Sequence, residues 1–181
     1  MKSLPRYLGF LFALGVLLFA GVPRSSAENA DSEQISKLLA DAKIHAVEAE
    51  DDAASLDSFT RSRVSWQQHA IELESMKRHV NEIGKIVADM QELEPQGSPW
   101  QKQAIAQISP LLRDMGDHLG KTIEHLNNNQ KRIHMPDHME YSRTNYQLAK
   151  RTADLIRDFI EYDQAQATTA QLEEKLELAQ K

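Results

Sequence analysis

The chain has 181 residues, no cysteine, and 27 acidic against 21 basic side chains. An acidic surface repels phosphate backbones and anionic lipid, which argues against nucleic-acid binding and against adsorption to membranes. The missing thiols exclude disulfides, thiolate nucleophiles, thiolate-bound zinc and covalent c-type haem attachment, so stability must come from apolar burial.

The first 27 residues read as a secretory signal peptide. Lys2 and Arg6 form a positive n-region, Tyr7 to Val22 an apolar run, and Ser25-Ser26-Ala27 a small-residue site before cleavage at Glu28. The run is short of the roughly 20 apolar residues of a spanning helix, so no permanent membrane anchor is expected. No cysteine follows it to take a lipid. The leader holds three bases and no acid, so the remainder carries nine more acids than bases. The expected location is periplasmic or secreted.

The rest reads as four helices. The first opens at a capping box, Asp31-Ser32-Glu33-Gln34. Its inner positions are Ile35, Leu38, Ala42, Ala46, Ala49, Ala53 and Leu56, rich in alanine, so neighbours should approach it closely. No Gly or Pro lies between Glu28 and Ile83, and one helix of more than 50 residues competes with a break. We place a turn at Asp57–Val64. Ser55, Ser58, Thr60, Ser62 and Ser65 cluster there, and such side chains compete for backbone hydrogen bonds. Ser65-Trp66-Gln67-Gln68 then starts the second helix.

Leu73, Met76, Val80, Ile83, Val87 and Met90 step alternately by three and four, a heptad seam. Glu94 to Pro99 break it. Ser98-Pro99-Trp100-Gln101 restarts a helix, with a cap, proline at the first position and Gln at the third. Ile105, Ile108, Leu112, Met115 and Leu119 form the third seam, reaching Leu126 across Thr122. His134-Met135-Pro136-Asp137 breaks again, and Asp137-His138-Met139-Glu140 is a further capping box. The fourth seam is Leu148, Thr152, Leu155, Phe159 and Tyr162. Ile71, Ile86, Leu111, Ile123, Ile156 and Ile160 widen the stripes as a bundle needs.

The fold predicted is all-α: an antiparallel up-down-up-down four-helix bundle over residues 28–170, with left-handed coiled-coil-like packing, after a cleaved signal peptide. Residues 171–181 form a polar helical tail. Ten residues separate Tyr162 from Leu172, which is read as a break in the seam.

Chemistry can reside only in the histidines. His134-Met135-Pro136-Asp137-His138-Met139 gathers two imidazoles and two thioethers that suit copper, or simply forms a helix-helix turn. Mirroring the helices about their connections brings His69 and His125 to one level, with Asn145, Asp51 and Asp52 beside them. That layer is either a metal or haem site or a polar device fixing helix register. His45 and His79 stand alone on their helices and read as solvated or hydrogen-bonded. Trp66 and Trp100 read as caps of the bundle ends. Glu48, Glu50, Asp51 and Asp52 lack the Gly and the alternation of a calcium loop and read as a solvated face.

No Glu-x-x-His pair of di-iron bundles occurs, nor a Gly-x-Ser-x-Gly elbow, nor a phosphate loop. The stretches Ser58-Phe59-Thr60-Arg61-Ser62, Ser65-Trp66-Gln67-Gln68-His69-Ala70 and Gly97-Ser98-Pro99-Trp100-Gln101 resemble a group of uncharacterised bacterial secreted helical proteins. The resemblance implies a helical, exported product and transfers no functional residue. The function expected is an exported, non-catalytic bundle with a structural or protein-interaction role, needing no cofactor and working with a protein partner or by self-association. The alternative is a copper-, zinc- or haem-binding bundle using His69, His125, His134, His138, Met135 and Met139.

Overall fold

A computed structural model describes residues 31–179, and the expected signal peptide and cleavage point lie outside them. The described residues form four helices packed together, with no strand among them. They are α1 (Glu33–Phe59), α2 (Trp66–Leu93), α3 (Pro99–Asn128) and α4 (Pro136–Ala179). α1 and α3 each pack on both α2 and α4, and α1 makes the more extensive contacts. None of the four is long and apolar enough to cross a membrane.

The ends follow local chemistry. α1 stops at Phe59 and α2 starts at Trp66, so the Ser/Thr cluster does hold the break. Thr60 Oγ1 donates to the carbonyl of Asp57 at 2.7 Å, competing with helix continuation as a short hydroxyl does. Two starts differ from expectation. The N-cap of α1 is Ser32 rather than Asp31, its hydroxyl accepting from the Ile35 amide. α4 begins at Pro136, so Asp137 sits inside the first turn instead of capping it, because proline's fixed φ already suits the first helical position. At α3 the Ser98 amide donates to Gln101 Oε1 at 3.1 Å, as the box requires. Pro110 lies within α3 on its exposed side, where its missing N–H does not break the helix.

The seams of α2 and α3 are buried at every expected position, from Leu73 to Met90 and from Ile105 to Leu126. A buried Leu, Ile or Met contributes about 1.5–3 kcal/mol over an exposed one. The outer helices differ. On α1 Leu39 is buried and Leu38 only half-buried. On α4 the buried line is His138, Ser142, Asn145, Ala149, Thr152, Ala153 and Ile156, whereas Leu148, Leu155 and Phe159 are flanks and Tyr162 is half exposed. Small side chains line both facing stripes, Ala42, Ala46, Ala49 and Ala53 on α1 and Ala149 and Ala153 on α4. They let the two backbones approach, and the larger residues of α4 then cover the edges. Ile71, read as a flank, is 59% exposed.

One end of the bundle is locked by side chains. The Ser32 amide donates to Gln101 Oε1 at 2.9 Å, and Gln101 Nε2 donates to the Ser32 carbonyl at 3.0 Å. Trp100 Nε1 donates to Asp31 Oδ1 at 2.6 Å. A Cβ on Gly97 would come within 2.9 Å of Ile35 Cδ1, so a larger residue there would make the tip of Ile35 shift. At this same end α4 runs on past Tyr162, whose ring meets Trp100 edge-on at 5.8 Å, and every residue from 164 to 179 is exposed.

Candidate functional site

Two histidine groups form, and the helices position them differently. The first sits where α1 ends and α2 and α4 begin. His69, one heptad step before Leu73, points inward and is fully buried. His138, in the first turn of α4, is 1% exposed. His138 Nε2 and His69 Nδ1 lie 3.0 Å apart, so one ring donates to the other. Neither His69 Nε2 nor His138 Nδ1 has a hydrogen-bond partner among the described residues.

Rings continue on both sides of this pair. Phe59 meets His69 edge-on at 5.7 Å, and His125 stacks on His138 at 5.8 Å. Tyr141 lies between His125, at 4.7 Å, and His118, at 5.5 Å. Burial lowers the His69 pKa, and the nearby His134 lowers it further. Burial, with His69, His125 and His134 around it, pushes His138 down to about 4. At neutral pH the buried His69–His138 pair is therefore uncharged.

The residues singled out from the sequence are thus only partly gathered. His69, His125 and His138 meet through His138. His134 and Met135 face outward, and Met139 is half-buried. The His134–Met139 run therefore does not close on a common point. Asn145 donates to Thr122 Oγ1 at 2.7 Å, and Asp52 lies against His79. The pairing of His69 with His138 was not foreseen, because mirroring counted residues from assumed turn centres.

The second group contains two residues read as solitary. His45 and Glu48 lie one turn apart on α1, and His79 faces them from α2. His45 Nδ1 and Glu48 Oε2 are 3.2 Å apart, His79 Nδ1 and Glu48 Oε2 3.0 Å, and the two Nδ1 atoms 3.3 Å. On its other side His79 Nε2 is 3.7 Å from Asp52 Oδ2. That oxygen is buried and unpartnered, and burial raises the Asp52 pKa against the opposing pull of Ser75, His79 and Arg78. The side chains of His45, Glu48 and His79 are 32%, 49% and 18% exposed, so the group borders solvent. The acidic run is therefore not a uniformly solvated face: Glu48 and Asp52 turn to histidines, and Glu50 lies 3.7 Å from Lys150 Nζ. The sequence did carry a signal, His45-Ala46-Val47-Glu48, the reverse of the Glu-x-x-His order that bundles use for iron.

No known protein family, curated protein or solved structure matches the chain.

Proposed function

We propose that the chain is an exported, non-catalytic helical bundle, periplasmic or secreted, that acts by protein interaction through the projecting part of α4. The observation that carries this reading is the exposure of residues 164–179 within one continuous helix. At 1.5 Å per residue those 16 residues reach about 24 Å past the packed helices. The ten-residue step from Tyr162 to Leu172 is filled as three, four and three by Ala165 and Thr169, and Leu176 and Ala179 follow. A heptad seam therefore runs along the exposed helix, correcting its reading as a break. Beyond Tyr162, which meets Trp100, Leu172 and Leu176 are 54% and 63% exposed, an apolar stripe with no cover among the described residues. A second copy of the same stripe is its simplest complement.

The up-down-up-down arrangement belongs to this proposal. Bonds between the starts of α1 and α3, and the meeting of the α1 end with the α2 start at Phe59 and His69, support it. Export rests on the leader sequence alone. Copper or haem binding at the His134–Met139 run has no such support, since His134 and Met135 are exposed and no third His or carboxylate donor joins the His69–His138 pair among the described residues.

Sedimentation equilibrium tests the reading. The protein should self-associate with concentration, and Leu172→Glu with Leu176→Glu should make it monomeric while its helix content stays. A chain that is monomeric at every concentration reached, with or without the substitutions, overturns it.

A further inference from the structure

We propose that His45, Glu48 and His79 bind one divalent transition-metal ion of the zinc class, with Asp52 as the carboxylate behind His79. The inference is independent of the role of α4.

Geometry carries it first. Zinc binds imidazole nitrogen at about 2.0–2.1 Å and carboxylate oxygen at about 2.0–2.2 Å. Tetrahedral angles then put neighbouring donor atoms about 3.3–3.5 Å apart. The three separations here are 3.0, 3.2 and 3.3 Å, a near-equilateral triangle of donors that needs only a few tenths of an ångström of expansion. One ion above this triangle reaches all three atoms. The fourth tetrahedral position is left to water, as in metal sites that exchange a ligand.

Asp52 supplies a second, independent observation. A histidine that ligates through one nitrogen usually donates its other N–H to a carboxylate, which fixes the ring and raises its basicity. His79 directs Nδ1 at the triangle and Nε2 at Asp52, whose buried Oδ2 lies 3.7 Å away and accepts no hydrogen bond among the described residues. A metal on Nδ1 holds the proton on Nε2 and gives that oxygen its donor.

The donor set decides the class of ion. Two imidazoles and one carboxylate suit zinc, copper, nickel or iron, whereas calcium and magnesium take oxygen ligands. The triangle borders a groove of about 780 Å³ lined by His45, His79, Arg78, Asn81 and Lys85, which gives the ion an entry path. Because the ligands come from two helices, binding also ties α1 to α2.

Calorimetric titration of the chelator-treated full chain with zinc tests the site. One equivalent should bind, and the melting temperature should rise as zinc is added. His45→Ala and His79→Ala should each weaken binding by at least about 100-fold, and Asp52→Asn by about 10–100-fold with unchanged stoichiometry. Cobalt(II) should show the visible bands of a tetrahedral ion, lost in His79→Ala. His134→Ala, on the exposed turn, should bind zinc as the parent does. All three ligand side chains border solvent, so their variants should fold, which circular dichroism checks. Absence of zinc, copper and cobalt binding, or retention of binding in the His45→Ala/His79→Ala double variant, overturns the proposal. So does calcium binding as tight as zinc binding, which would mean an unspecific acidic surface.

Discussion

The same side chain does opposite work in the two histidine groups. At the bundle end His69 and His138 are sealed among Phe59, His125 and Tyr141, and positive charge there would face only other imidazoles. Midway along α1 and α2, His45 and His79 border water and have Glu48 and Asp52 against them. The first environment penalises a proton and the second welcomes a cation. Burial and the sign of the nearest charge, not residue type, set what a histidine does.

The scale for both groups is an ordinary core deletion. Ile83→Ala, at a fully buried seam position, should destabilise by about 2–5 kcal/mol in urea titration, from lost transfer energy plus a cavity. The exposed neighbour Glu82→Ala should leave the urea midpoint where it was. Equal losses would show that the α2 seam does not face the core.

Acid separates the groups next. His138 is lowered from 6.5 to about 4 in the folded state, so between those pH values the unfolded chain binds more protons. Its stabilising contribution is full above about pH 6.5 and is lost as pH falls towards 4, a loss on the order of 3 kcal/mol. Denaturation at stepped pH should show it, and His138→Gln should flatten the slope over that window. At neutral pH His138→Leu, which removes both ring nitrogens, should cost about 1–3 kcal/mol, since it leaves His69 without its partner. A slope unchanged by His138→Gln would place the acid sensitivity elsewhere.

The half-exposed group should respond least. Without metal, His45→Ala should move stability by no more than about 0.5 kcal/mol, as a surface change does. A loss there as large as at His138 would erase the contrast between the two environments. Smaller still, at concentrations where the chain is monomeric, removal of residues 171–181 should leave the melting temperature within a few degrees, because residues 171–179 bury nothing on the bundle.

Much of the architecture is local and therefore legible in the sequence. The hydroxyl-rich stretch from Ser55 to Ser65 stops α1, Ser98 to Gln101 starts α3, and the seams of α2 and α3 follow from spacing along one helix. These depend on residues a turn or two apart. The α1 and α4 stripes were harder to read. Alanine is apolar without being bulky, so the eye follows Leu38, Leu148 and Leu155, while the closest packing selects Leu39, Ala149 and Ala153. The candidate metal site was missed for a related reason. His45-Ala46-Val47-Glu48 is visible as a one-turn pair, but the ligand that completes it is 31 residues beyond Glu48 on another helix.

By itself the sequence determined how many helices form, where they stop and which faces of α2 and α3 are apolar, because each of these is decided by neighbours along the chain. Only the tertiary structure decided which histidines meet. A helix can turn about its axis by part of a turn, or slide by one residue's rise of about 1.5 Å, with little change in its apolar pattern. Such a shift is enough to give His69 a different partner and to bring His79 onto Glu48. Side-chain packing across helices fixes those last degrees and ångströms, and they carry the chemistry.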